Sequence, residues 1–309
     1  MTWWEALILG VIQGLTEFFP VSSSGHLVMA SSALGLKLPG IVFEVVVHVA
    51  TLASVVIVYR RRIGRLLAGL VGHPGGDEHA RSFVLMLLLA SLPAGMAGIL
   101  WKDWFEARFD DPAASATMVL ATGCIVWSIR WARESVRLSP LEFLPLAAAA
   151  GIALLAGTAA VFLGVLAVAA VLMGVARAAA SRRWHDRPTA ADALLMGIGQ
   201  ALAILPGVSR SGTTVMVGIW RRVDSQAAAE FSFLMSVIAI SGAGLLMIPD
   251  AVEAGASIGP VPVLVGCVAA LISGILAIRF FLAMLRRQSF HLFAWYCWAV
   301  GALYLLVAR

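Results

Sequence analysis

Residues 5–29 of this chain recur, without a gap, at 192–216. The stretch from Glu5 to Met29 and the stretch from Asp192 to Met216 share 11 of 25 residues, among them Gln13/Gln200, Ser22/Ser209, Ser24/Ser211 and Gly25/Gly212. A Ser-x-Ser-Gly loop kept in register between two apolar runs marks an internal duplication. Each copy runs an apolar helical pattern into a Pro and Gly break, then a cluster of hydroxyls, then further apolar residues. Inside lipid such a break frees backbone N–H groups that protein, water or a ligand must satisfy. Discontinuous helices that meet at mid-membrane are a common way to build a polar site there.

The lipid setting follows from composition. The chain has 309 residues, of which 61% are hydrophobic and 13% charged, with a mean hydropathy of +0.94. A soluble domain of this length cannot hide so much apolar surface, so the expectation is a polytopic membrane protein. The net charge of +5 does not point to nucleic acid, because the arginines sit in short clusters between apolar runs, as the positive-inside rule requires. Cys124, Cys267 and Cys297 each lie within an apolar run and suggest neither a disulfide framework nor a zinc site. No basic region precedes Trp3 and Trp4, so no cleavable signal is expected.

Hydropathy and arginines together give an order of crossings. Trp3 to Phe19 reads as a helix carrying a carboxylate, and after the Pro20–Gly25 break only about ten apolar residues follow, to Leu36, about half of what a span needs. That predicts a re-entrant pair. Ile41–Tyr59 is long enough to cross and ends on Arg60, Arg61, Arg62 and Arg65, and Leu66–Arg81 reads as a cytoplasmic loop. Ser82–Trp101 crosses outward, and Ala113–Ile129 returns to Arg130, Arg133 and Arg137. Leu141–Ala180 suits a two-span hairpin turning near Gly157 to Gly164, with Arg137 before it and Arg177, Arg182, Arg183 and Arg187 after it. The second copy starts from the cytoplasm at Asp192 and returns to Arg221 and Arg222. Glu230–Ile248 then crosses to an acidic loop with Asp250 and Glu253, Val261–Leu285 returns to Arg286 and Arg287, and Phe290–Ala308 goes out again. The first copy thus enters from outside and the second from inside. The expected fold is an all-α polytopic membrane protein, an inverted-topology repeat with two re-entrant helix pairs, about six core transmembrane helices and an inserted hairpin. Repeat one covers 1–137, the hairpin 138–187 and repeat two 188–309, within a single membrane domain.

The two breaks pool Gln13, Glu17, Ser22, Ser23, Ser24, His26, Gln200, Ser209, Arg210, Ser211, Thr213 and Thr214. Gln13 and Glu17, four apart, share a helix face and can present hard oxygens to Mg²⁺ or Ca²⁺, or form a polar stripe against the other repeat. An ionisable group inside a membrane segment is costly and so points to function. Ser22-Ser23-Ser24-Gly25-His26 puts hydroxyls near an imidazole, a workable nucleophile and base, though the same residues also cap helices. Gly25 allows N–H groups to converge on an anion. Arg210, set in an apolar stretch between Ser209 and Ser211, makes a bidentate phosphate clamp or an ion pair with Glu17, and both can hold at once. Glu44 and His48 share one face of the second helix. His73, His79 and His185 are given no role.

Three motifs, Gln13-Gly-Leu-Thr-Glu17, Pro20-Val-Ser-Ser-Ser-Gly-His26 and Pro206-Gly-Val-Ser-Arg-Ser-Gly-Thr-Thr214, resemble the signatures of the undecaprenyl-diphosphate phosphatase family of the bacitracin-resistance type. The resemblance extends to Phe43-Glu44 and to Glu230-Phe-Ser-Phe-Leu234 and covers most of the chain. It implies an integral hydrolase of the bacterial cytoplasmic membrane that removes one phosphate from a C55 isoprenoid diphosphate, regenerating the carrier for cell-wall precursors. It further implies dependence on a divalent cation and an active site reached from the periplasmic side. By position, Glu17 with Gln13 corresponds to the metal-associated motif, Ser209, Arg210, Ser211 and Thr214 to the phosphate-binding loop, and Ser23 and His26 to the nucleophile and general acid/base. Beside these, Ser22, Ser24, Gly25 and Gly212 are read as further phosphate-binding residues. The sequence departs from the pattern in Gln13, where some members have Glu, in His48, where Gln is usual, and in the hairpin. The hairpin is read as an oligomer contact or as lipid-facing padding, and a homodimer is counted among the partners. The expected partners are a polyprenyl diphosphate and the bilayer. The rival reading is a lipid-phosphate transporter or flippase using the same mid-membrane anion site, since inverted repeats with broken helices are also transporter architecture.

Overall fold

A capping box opens each copy of the repeat. In the computed structural model Thr2 caps helix α1 (Trp3–Phe18) and exchanges bonds with Glu5, while Thr189 caps helix α9 (Ala190–Leu202) and exchanges bonds with Asp192. Both residues of each box are related by the same 187-residue offset, so the duplication starts three residues earlier than the motif comparison placed it. The structure describes residues 1–36, 40–108, 111–132, 143–181, 183–253 and 258–307, with side chains left out at 40–42, 106 and 246–253. Arg133, Arg137, Leu141 and Arg182, and the side chains of Asp250 and Glu253, lie outside the described residues.

Between α1 and α9 come α2 (Ser23–Ala33), α3 (Gly40–Leu70), α4 (Ala80–Leu100), α5 (Lys102–Glu106), α6 (Pro112–Trp127), α7 (Leu144–Leu155) and α8 (Ala159–Ala178). After α9 follow α10 (Arg210–Trp220), α11 (Ser225–Glu253), α12 (Pro260–Arg286) and α13 (Leu292–Val307). Helix α10 matches α2 residue for residue at the offset of the repeat. Among the described residues the fold is all-helical, with no strand beyond one isolated bridge between His185 and Val223.

Among the described residues, six helices are long and apolar enough to cross a membrane: α3 from Phe43, α4, α6 with its 3₁₀ extension to Trp131, α8, α11 to Leu245, and α12. The chain is a multi-pass membrane protein. Five of these answer to the expected core spans. The sixth expected span, Phe290–Ala308, is α13, whose described part covers 16 residues, Leu292–Val307, and is not among the six. The sixth long helix is instead α8, in the hairpin. The hairpin turns at Ala156–Thr158, with Gly157 at φ 76°. Gly164, expected at the turn, lies inside α8, because one left-handed glycine is enough to reverse the chain. The expected loop from Leu66 is also shortened: α3 continues to Leu70, since arginine is a good helix former and the helix need not stop where the lipid does.

Small residues let the helices approach closely. Gly10 and Gly14 of α1 face Gly266, Ala270 and Ser273 of α12, while Gly197 of α9 faces Ala90 of α4. Each copy's leading helix therefore packs on the other copy's long helix. A Cβ at Gly14 would run into Ser273 Oγ and the Ala270 carbonyl, whereas one at Gly174 meets open space. Gly14→Ala is expected to cost about 1–3 kcal/mol by overpacking, read as a lowered thermal midpoint in detergent beside an unchanged Gly174→Ala.

The arginine-rich ends are tied by ions. Asp192, fully buried, accepts from Arg221 Nε at 2.6 Å, from the Thr189 N–H at 2.8 Å and bonds His185 Nε2 at 2.9 Å. His185, given no role by the sequence, is thus a structural partner that joins the segment before α9 to the end of α10. Arg62 bonds Glu230 at 2.7 Å and also Asp77. The Arg62 bond and the His79 N–H hold the Asp77 carboxyl below its usual range. A depressed carboxyl stabilises at pH above its unfolded value, and this contribution is lost only as pH falls through the lowered one.

Candidate active site

The two breaks touch. A Cβ at Gly25 would lie 2.8 Å from the Gly207 Cα, and Gly207 itself adopts φ 96°, a backbone conformation that side chains rarely take. Carbonyls freed by the first break are met from elsewhere: Ser211 Oγ donates to the Phe19 oxygen at 3.0 Å, and Cys297 Sγ to the Pro20 oxygen at 3.6 Å. Thr122 of α6 serves the second break, donating to the Gly207 oxygen at 2.8 Å and accepting from the Ser209 N–H at 3.0 Å. The start of α2 is strained, because its cap Ser22 sits at φ 73°.

Helices α2 and α10 both begin at this junction. Ser22 accepts from the Gly25 N–H at 3.3 Å, and Ser209 accepts from the Gly212 N–H at 3.1 Å. The other first-turn N–H groups are those that an α-helix leaves without an intrahelical partner. Two helix N-termini side by side favour an anion.

Glu17 supplies the anion of the protein itself. One carboxylate oxygen accepts from Arg210 Nη2 at 2.7 Å. The other accepts from Ser23 Oγ at 2.6 Å and from Gln13 Nε2 at 2.9 Å, with His48 Nε2 at 3.8 Å. Ser23 and Arg210 are the first residues of α2 and α10 and are equivalent in the repeat, yet they grip opposite oxygens of one carboxylate. The counterpart of Glu17 in the second copy is Ile204, so a duplicated sequence builds a one-sided site.

Arg210 is a cation at the positive end of a helix, an unfavourable place without a counter-charge. Glu17 compensates on one side only: Nη1 of Arg210 is buried without a partner, and so is Oε1 of Gln13. A buried guanidinium nitrogen and a buried amide oxygen left unpaired are each costly unless something else binds them.

The remaining expected residues divide. Ser22 and Ser24 lie 3.3 Å apart at the start of α2, and Ser209 and Ser211 3.2 Å apart at the start of α10. Thr214 is turned towards α11, its hydroxyl bonding the Arg210 carbonyl at 2.8 Å and Ser232 Oγ at 2.6 Å. His26 is not joined to Ser23. Its Nδ1 turns back to the Ser22 carbonyl oxygen at 2.7 Å, and its Nε2 lies 3.1 Å from the Tyr296 hydroxyl. His48 likewise donates Nδ1–H to its own helix, at the Glu44 oxygen. Among the described residues no three His, Cys, Asp or Glu side chains converge on one point. The hard-oxygen donors present are the Glu17 carboxylate and the orphaned Gln13 Oε1. That pair suits a hard divalent cation whose shell is completed by water and phosphate oxygens. Tyr296 and Thr122 were missed by the sequence reading, and Ser232 entered it only as part of the Glu230–Leu234 motif with no role. Thr122 and Ser232, polar within apolar spans, left a local signal, and Tyr296 left none.

The family model described as "Bacitracin resistance protein BacA" matches residues 6–159 and 140–303. The chain belongs to that family. Every residue of the cluster above, from Gln13 to Tyr296, falls within the BacA match. An undecaprenyl-diphosphatase of Desulfatibacillum aliphaticivorans is 32% identical over 317 residues, covering 98% of this chain and 97% of the relative. Another, of Syntrophotalea carbinolica, is 32% identical over 312 residues with both chains fully covered. A third, of Gemmatimonas aurantiaca, is 34% identical over 302 residues, covering 96% of this chain and 94% of the relative.

Proposed function

We propose that this chain hydrolyses undecaprenyl diphosphate to undecaprenyl phosphate and inorganic phosphate, recycling the lipid carrier of cell-wall synthesis. The observation that carries the reading is Arg210, partly buried at the helix breaks, with one nitrogen on Glu17 and the other buried and unpaired. A terminal phosphoryl group would take that nitrogen and the first-turn N–H groups of α2 and α10, while Glu17 keeps the guanidinium in place. Ser23 is the nucleophile of this reading, because its hydroxyl hydrogen already points at a carboxylate. As its oxygen bonds to phosphorus, the proton passes to Glu17, and the bridging anhydride oxygen leaves with its electron pair on undecaprenyl phosphate. His26 supplies acid/base help to the water that then releases phosphate. Mg²⁺ or Ca²⁺, held by Glu17 and Gln13, would neutralise charge on the phosphoryl oxygens.

The finer architecture belongs to the same reading. An inverted repeat is supported by the shared 187-residue offset of the capping boxes and of α2 and α10, and by the reciprocal packing of α1 on α12 and of α9 on α4. Re-entrance is supported by length, since α1 has 16 residues and α2 has 11, each short of a crossing. Arginines at the ends of α3 and α12 support a cytoplasmic side there, in the bacterial inner membrane, with the site opening to the periplasm.

The test is inorganic phosphate release from undecaprenyl diphosphate by the detergent-purified chain, with Mg²⁺, with Ca²⁺ and with EDTA. Turnover with a cation and none with EDTA is expected. Detergent offers no second compartment, so a pure transporter would bind the lipid and release nothing, and that outcome would sink the hydrolase.

A further inference from the structure

We propose that Tyr296 of α13 is a positioning residue for the His26 imidazole, a role that rests on the hydrolase reading above. The Ser22 carbonyl oxygen can only accept, so the hydrogen at Nδ1 of His26 is fixed there in either protonation state. The lone pair of the neutral ring is therefore on Nε2, the atom that faces the Tyr296 hydroxyl at 3.1 Å. Tyr296 donates to the neutral ring and accepts from the imidazolium. A proton taken from water therefore reaches Nε2 through the hydroxyl, which gives its own hydrogen to the ring as it receives the new one, and one side chain holds the ring before and after proton transfer. The rings are also stacked, with centroids 5.6 Å apart and planes 9° from parallel, which fixes the imidazole out of plane as the hydrogen bond does in plane.

Helix α13 is held against the first break independently of this pair. Cys297 bonds the Pro20 oxygen, and Tyr304, eight residues beyond Tyr296, puts its hydroxyl 3.1 Å from Ser32 of α2. Tyr304 thus makes the same kind of bond between the same two helices, away from the site. It is the built-in control for a bond that merely braces α13 on α2.

The experiment compares Tyr296→Phe with Tyr304→Phe in the full detergent-purified chain. Steady-state phosphate release from undecaprenyl diphosphate is measured beside ¹⁵N-histidine spectra, with His26→Gln used only to assign the His26 resonances. Tyr296→Phe is expected to lower kcat about tenfold, the scale of one hydrogen bond, to leave KM unchanged and to move the Nε2 resonance of His26 while Nδ1 stays protonated. Tyr304→Phe should change neither. Equal effects of the two variants, or a wild-type kcat in Tyr296→Phe, would overturn the proposal. If the wild-type chain releases no phosphate, the hydrolase reading falls by itself. The Nε2 resonance then still decides: unmoved in Tyr296→Phe, it overturns the positioning of His26 as well.

Discussion

Arg210→Ala is expected to lower phosphate release by about a thousandfold or more, the scale on which an arginine supports phosphoryl transfer. Two losses combine. The diphosphate loses the unpaired Nη1 that it would occupy, and Glu17 is left buried without its counter-charge, which costs the fold about 3–5 kcal/mol. The second loss could mimic the first, so stability is measured alongside activity. Arg210→Met combined with Glu17→Gln removes both charges and is expected to recover the thermal midpoint lost in Arg210→Ala while activity stays absent. Arg210→Lys should keep the fold and still lose most of the rate, because an ammonium is a point charge and cannot hold Glu17 and a phosphoryl oxygen with separate nitrogens of one planar fork. Full activity in Arg210→Lys would show that the guanidinium does no more than balance Glu17.

Glu17→Gln is expected to lower kcat about a thousandfold, as loss of a charged group aimed at the reacting atoms does, and to remove the response to added Mg²⁺ or Ca²⁺. The substitution keeps shape but leaves Arg210 and Ser23 facing a neutral amide, so Ser23 no longer has a carboxylate to receive its proton. Ser23→Ala separates the two roles of Glu17. If Glu17 acts as proton acceptor for Ser23, Ser23→Ala loses activity while the response of any residual rate to cation concentration is kept. If phosphate release in Ser23→Ala equals that of the wild type, the attacking oxygen belongs to water and Ser23 only orients Glu17.

Much of this site could be read from the chain. The 187-residue repeat places Ser23 and Arg210 at equivalent positions, and the charges of Glu17 and Arg210 inside apolar runs make their pairing the cheapest arrangement in lipid. The crossing helices followed from hydropathy, and five of the six expected core spans stand as long helices. Lengths were less legible. Helix α3 carries its arginines through to Leu70 and the hairpin turns on Gly157 alone, because helix ends answer to backbone geometry and capping as much as to where lipid stops. Even the Thr2 and Thr189 boxes were visible in the sequence, hidden only because Trp3-Trp4 and Ala190-Ala191 differ between the copies.

What the sequence determined by itself was therefore local and periodic: apolar length, the broken helices, the duplicated hydroxyl loop, and the charges that must find each other. Tertiary structure decided which atoms were already spoken for. Ser23 is bonded to Glu17 and not to His26, the His26 ring is held by Tyr296 from 270 residues away, Thr214 is turned to Ser232, and Gln13 and Arg210 each keep one unpaired atom. The physical reason is that a hydrogen bond needs position and direction to within a fraction of an ångström. Sequence spacing supplies these within a single helix turn. Between helices they come only from how closely glycines such as Gly14, Gly25 and Gly207 let the backbones approach.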